Sequence, residues 1–156
     1  MQKPLPKLIL CVLVCEVAGF IGSFFIAGAI PGWYAFLNKP SFNPPSWLFA
    51  PVWTILFLMM GVGLFLVWQS RSDEKRKEAI VMFFIQLALN AIWPVIFFGL
   101  HSPGISFSEI IILWFAIFGT IIAFYKISKT AAILLIPYII WVSFAAILNY
   151  SIWLLN

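Results

Sequence analysis

Polar residues are so sparse along this chain that the breaks between apolar runs lay out the molecule. Five runs emerge, at 8–30, 47–68, 79–100, 105–125 and 131–153. Each is about twenty residues long, which at about 1.5 Å of rise per residue matches the roughly 30 Å hydrocarbon core of a bilayer. None alternates apolar and polar positions over strand lengths, so a membrane β-barrel is not expected. The pattern predicts an all-α membrane protein, a five-transmembrane-helix bundle forming a single domain over 1–156.

The breaks are unequal. Three are short, whereas the first reads P-G-W-Y-A-F-L-N-K-P-S-F-N-P-P-S over 31–46 and spends aromatic and proline residues on shape. A connector of about sixteen residues is long for a compact bundle and commonly functional. Stiffened by Pro40, Pro44 and Pro45, this long first loop is expected to close a pocket, and Ser46 is placed to cap the helix that follows.

Composition narrows the class further. With 64% hydrophobic and 9% charged residues, against about half and a quarter in soluble domains, there is no room for a soluble domain. The net charge of +4 is topological. If five helices alternate, Lys3, Lys7, Arg71, Lys75, Arg76, Lys77, Lys126 and Lys129 share one side, and Lys39 lies on the other. The positive-inside rule then makes the N-terminus cytoplasmic, and no nucleic acid is needed to explain the charge. The membrane is expected to be the cell membrane in a bacterium or the mitochondrial outer membrane in a eukaryote.

The first run follows Lys3 and Lys7 as a secretory signal would, but it continues to Ile30 without a convincing small-x-small cleavage site. Bulky Val14 before Cys15 also argues against a lipoprotein signal, so this run is expected to remain as the first span. Cys11 and Cys15 lie one turn apart with no histidine near them in sequence, a pattern expected of packing rather than of a metal site.

Depth and helical spacing single out one region. Counted in from the face that carries the long connector, Trp53, Asn90, Trp93, Trp141, Ala145 and Asn149 fall in one half of the bilayer. Trp53, Phe57 and Met60 share a helix face, as do Gln86, Asn90, Trp93 and Phe97, and as do Trp141, Ala145, Leu148 and Asn149. Carboxamides are disfavoured against hydrocarbon, so these stripes should face inward. Rings and amides together are the composition of a mostly apolar ligand pocket with a few placed polar groups. Trp47, Trp68 and Trp153, at run ends, belong to the interfacial belt.

Pro51, Pro94 and Pro137 lie inside apolar runs, where they are expected to bend helices or free carbonyls and so leave room between them. Glu16 lies about eight residues into its run, where a carboxylate costs about 2.5 to 3.5 kcal/mol on insertion scales. It is expected to be hydrogen-bonded across helices rather than to serve a ligand or proton. Glu109 is expected to reach water at the edge of its run. Ala18 and Gly22 form a small-xxx-small pair that would suit close approach of a second copy.

Four segments, in order and spanning nearly the full length, carry a family resemblance. They are W-Y-A-F-L-N-K-P-S-F-N-P-P (33–45), A-P-V-W-T-I-L-F-L-M-M-G (50–61), Q-L-A-L-N-A-I-W-P-V-I-F-F-G (86–99) and P-Y-I-I-W-V-S-F-A-A-I-L-N-Y (137–150). Together they resemble the tryptophan-rich sensory protein family, which includes the mitochondrial translocator protein once called the peripheral benzodiazepine receptor. The resemblance implies a five-helix bundle, usually a homodimer, whose pocket is closed by the first connector. Such pockets bind porphyrins such as protoporphyrin IX, isoquinoline carboxamides and benzodiazepines, and in mitochondrial members cholesterol. By motif, Trp33 and Tyr34 match the lid, and Ala50, Trp53, Asn90, Trp141, Ala145 and Leu148 match the pocket. Phe57, Trp93, Phe144 and Asn149 complete the candidate ligand-binding set. For bacterial relatives the resemblance also implies light-driven porphyrin degradation through the pocket tryptophans, here Trp53 and Trp141.

Two positions depart from the family pattern. No Lys or Arg follows Tyr150, which argues against sterol binding at that segment, and Ile105 stands where many relatives open the fourth helix with Trp. The function expected is a receptor-like membrane binder of planar hydrophobic ligands, porphyrins first, with a role in tetrapyrrole or stress signalling. Indoles would stack on the flat face while Lys39 or polar lid groups meet the acids. Porphyrin is expected as ligand rather than prosthetic group, because the one histidine, His101, sits in a short turn. No acid–base pair or nucleophile constellation supports thermal catalysis. A transporter's internal repeats or charged relays are not found beyond Glu16.

Overall fold

The computed structural model describes residues 4–71 and 73–156; Lys3, one of the cations used to orient the chain, lies outside them. Helix α1 runs Pro4–Ala29 and the connector holds a short α2, Trp33–Phe36. A 3-10 turn, Ser46–Leu48, leads into α3, Phe49–Trp68, followed by α4, Asp73–Pro94, and a π-helical turn, Val95–Gly99. Helix α5 is Pro103–Tyr125, and the last stretch is broken into α6, Lys129–Leu134, and α7, Ile136–Leu155. Five helical stretches are long and apolar enough to cross a membrane: Pro4–Ala29, Ser46–Trp68, Glu74–Gly99, Pro103–Tyr125 and Lys129–Leu155. The all-α, five-helix expectation stands, with every span starting one to five residues before its apolar run because helical hydrogen bonding continues into the polar flanks.

The spans close into a ring. Helix α1 packs on α3 and α4, α4 on α5, α5 on α7, and α3 on α6. At the end opposite the long connector the packing is dense. Phe83 stacks on Phe124 with ring centroids 5.7 Å apart, and Met60, Val67 and Leu135 are almost wholly buried. Lys7 lies over the Trp68 ring at 5.3 Å, pinning the start of α1 beside the end of α3. Glycine brings these two helices together: a Cβ on Gly61 would lie 2.6 Å from Val12 Cα, and one on Gly19 would lie 2.5 Å from the Phe57 ring.

Several local expectations change. Pro51 lies in the first turn of α3, where the missing N–H has no partner to lose, so it starts the helix and does not bend it. Pro94 ends α4 and is followed by the π turn, while Pro137 opens α7 just after the break at Leu135. Ser46 does not cap through its side chain; Pro45 precedes the 3-10 turn in extended conformation with no side-chain hydrogen bond. The Ala18 and Gly22 pair is used within the chain, because Gly22 is buried with Pro94 Cγ 3.0 Å from where its Cβ would be. Its Gly22 surface serves α1 against α4.

Candidate functional site

The buried amides are built first into helix-to-helix bonds. Asn90 Nδ2 donates to the Tyr138 hydroxyl at 2.6 Å, and that hydroxyl donates to Gln86 Oε1 at 2.8 Å, joining α4 to α7. Asn149 Oδ1 accepts from Trp93 Nε1 at 3.1 Å and from Ser106 Oγ at 3.0 Å, while its amide donates to Pro103 O at 2.7 Å. Three helices meet on that one side chain. The inward stripes are therefore inward, and their amides are largely spent on holding α4, α5 and α7 together.

Beside these bonded amides the helices part. A cavity of about 620 Å³ lies among α1, α3, α4, α5 and α7, walled by Phe49, Trp53, Phe57, Asn90, Trp93 and Ala145 together with one side of α1. Leu13, Val17 and Phe20 of α1 and Ala50 and Thr54 of α3 border it and are themselves exposed. Its mouth therefore opens sideways, between α1 and α3, toward acyl chains. A second void of about 40 Å³ shares Trp53, Trp93 and Ala145 and is completed by Tyr34, Trp141, Leu148 and Asn149. The Phe49 ring lies 6.2 Å from Trp141, and Trp53 meets Tyr138 at 6.3 Å. The Trp141 indole nitrogen is buried with no hydrogen-bond partner.

The connector covers the smaller void through Tyr34 and meets the larger only at its last residue, Ser46. Trp33 stacks on His101 at 4.5 Å, an interplanar angle of 14°, and His101 holds a left-handed φ of 51° in the α4–α5 turn to present its ring. Tyr34 is buried against Phe97 and Phe98 and donates to Asn43 Oδ1 at 2.9 Å. Burial pushes its phenol above the ordinary range, partly offset by the Asn43 bond. Asn38 and Asn156 exchange bonds of 3.0 Å in both directions, clasping the connector to the end of α7.

Ten of the twelve predicted ligand-binding residues border one void or the other; Trp33 and Phe144 border neither. Trp33 serves the His101 stack, and Phe144 packs between Phe42 and Trp141. Lys39 does not face the cavity. Its ammonium donates to the carbonyls of Tyr34 (2.8 Å), Leu37 (3.0 Å) and Ala35 (3.3 Å) and lies over the Tyr34 ring, so it finishes the end of α2.

The acids also differ from expectation. Glu16 has no hydrogen-bond or ion-pair partner among the described residues and borders the large cavity. Glu109 does not reach water: it is 8% exposed with both carboxyl oxygens unpartnered, because it falls on the face of α5 that carries Ser106, Ile110 and Leu113. Sequence reasoning missed the α1 wall, since α1 is apolar on every side and gives no periodic signal; Glu16 was the one marker available. Cys11 and Cys15 are buried free thiols, and among the described residues no cluster of three or more His, Cys, Asp or Glu could hold a metal.

Comparison with known proteins identifies the family. The profile of the TspO/MBR family matches residues 11–154. Similar relatives include the tryptophan-rich protein TspO of Chlorobaculum tepidum, 45% identical over 100% of this chain and 99% of the relative. The protein of the same name from Archaeoglobus fulgidus is 43% identical over 96% of this chain and 97% of its own length. The translocator protein of Homo sapiens is 41% identical over 86% of this chain and 80% of the relative.

Proposed function

The chain belongs to the TspO/MBR family, and from that premise we propose that it is a receptor-like membrane protein that takes up a planar hydrophobic ligand, porphyrins first. Isoquinoline carboxamides and benzodiazepines fall in the same size and shape class. One observation carries the reading: the cavity of about 620 Å³ reaches the lipid sideways and ends on Trp53, Trp93 and Ala145. Small-molecule sites run from roughly 300 to 1,000 Å³ and are mostly apolar with few polar groups. Flat rings gain from offset or edge contacts with indole and phenyl faces, which Phe49, Trp53 and Trp93 supply. With Lys39 occupied in the loop, the donors left at the cavity wall for a ligand's acid or carbonyl are the second Asn90 amide proton, the Trp53 indole N–H and the Ser46 hydroxyl. The N-terminus is cytoplasmic on this reading, and the protein acts as a homodimer that uses a face other than Ala18 and Gly22.

Titration of the protein in lipid nanodiscs with protoporphyrin IX, read by quenching of tryptophan emission, tests the reading. Ala145 borders both voids, so Ala145→Phe fills their junction and is expected to weaken binding at least about tenfold, the equivalent of roughly 1.4 kcal/mol. Wild-type affinity in a folded Ala145→Phe protein would place the ligand elsewhere.

A further inference from the structure

We propose that Glu16 is the specificity determinant of the large cavity and that it selects apolar molecules carrying an N–H donor, an ammonium above all. This rests on the cavity being the ligand site. Glu16 is the one charged side chain along the cavity wall, and it has no partner within the described protein. The neighbouring hydroxyls are left as acceptors, because Ser23 donates to Phe20 O at 2.8 Å and Thr54 to Ala50 O at 2.9 Å. Asn90 has given one amide proton to Tyr138. The donors that remain at the wall are neutral: the second Asn90 amide proton, the Trp53 indole and the Ser46 hydroxyl.

No lysine, arginine or histidine borders the cavity. Lys39, nearest in sequence, is held by three carbonyls of the connector. A carboxyl in apolar surroundings is costly until it is matched, and a ligand bringing an N–H to it gains a charge-assisted bond that a neutral hydroxyl of the same shape gains only weakly. A ligand bringing a carboxylate to the same point meets a like group. Glu16 thus orients what enters: the nitrogen end turns toward α1 and the flat apolar body toward Trp53 and Ala145.

Two probes of matched shape separate the possibilities. 1-Pyrenemethylamine is an ammonium at pH 7, as ordinary alkylamines are, and 1-pyrenemethanol is its neutral counterpart. Both are titrated into nanodiscs of zwitterionic lipid, with and without protein, and read by energy transfer from tryptophan. The wild-type protein is expected to prefer the amine by about tenfold after correction for lipid partitioning, as suits a bond to a charged group. That ratio is expected to fall to near one in Glu16→Gln and to be kept in Glu16→Asp. A wild-type ratio near one overturns the proposal without recourse to any variant. So does a ratio that stays the same in Glu16→Gln. Failure of both probes to bind the wild-type protein sinks the cavity itself as the ligand site, an outcome distinct from binding without preference.

Discussion

Glu109 and Glu16 show how two carboxyls in similar apolar runs come to opposite circumstances. Glu16 borders open space, where a ligand can reach it, whereas Glu109 is closed in by α5 and its neighbours with neither oxygen bonded. An unsatisfied buried polar group costs about 1 to 3 kcal/mol, so Glu109→Leu is expected to stabilise the fold by that order. A higher midpoint of thermal unfolding in detergent would register the gain; a lower one would mean that Glu109 answers a group of its own. Residue chemistry was partly legible beforehand. Trp53, Phe57, Asn90 and Ala145 reach the cavity wall because helical spacing fixes which side chains share a face. Lys39 was misread, because its charge is visible in the sequence but the three carbonyls that the end of α2 turns toward it are not.

At the scale of elements, α1 and α3 decide whether there is a site. They are locked where Gly61 meets Val12, and the cavity, which Gly19 and Phe57 themselves line, starts next to that close contact. Gly61→Ala puts a methyl 2.6 Å from a backbone atom of Val12, which no rotamer change relieves. The expected loss is about 1 to 3 kcal/mol, typical of overpacking, measurable as earlier unfolding on heating. Unchanged stability would mean that α1 slides freely on α3. Helix existence was plain from the apolar runs, but their interruptions were not. Pro94 gives a π turn and Pro137 a break into α6 and α7 because proline removes a hydrogen bond without dictating how the chain recovers. Pro51 does nothing of the kind, since the start of α3 is set by the preceding 3-10 turn.

For the whole molecule, the five-helix count and the inward facing of the amide stripes could be read from the sequence, because lipid penalises polar groups so heavily that their positions mark the interior. The opening of the cavity could not. A lid over the pocket was the expectation from a long, proline-rich connector, yet that connector is tied to His101, Phe97 and Asn156, over the smaller void. Which gap in a ring of helices stays open depends on relative tilts, and a helix such as α1, apolar all round, carries no mark of the side it leaves uncovered. Ligand entry is accordingly expected to be insensitive to Trp33→Ala, which loosens the connector from the α4–α5 turn, and sensitive to Thr54→Trp, which crowds the gap between α1 and α3. Association rates of protoporphyrin IX compared across the two variants check this, and the reverse ranking would put the entrance beneath the connector.

A doorway facing acyl chains changes what concentration means for this protein. Its occupancy follows the mole fraction of solute dissolved in the hydrocarbon phase, so doubling the lipid at constant total solute dilutes the species that binds, even though the volume of the sample is scarcely altered. Half-saturation values gathered at different lipid-to-protein ratios will collapse onto one curve when plotted against that two-dimensional abundance, and not against total solute.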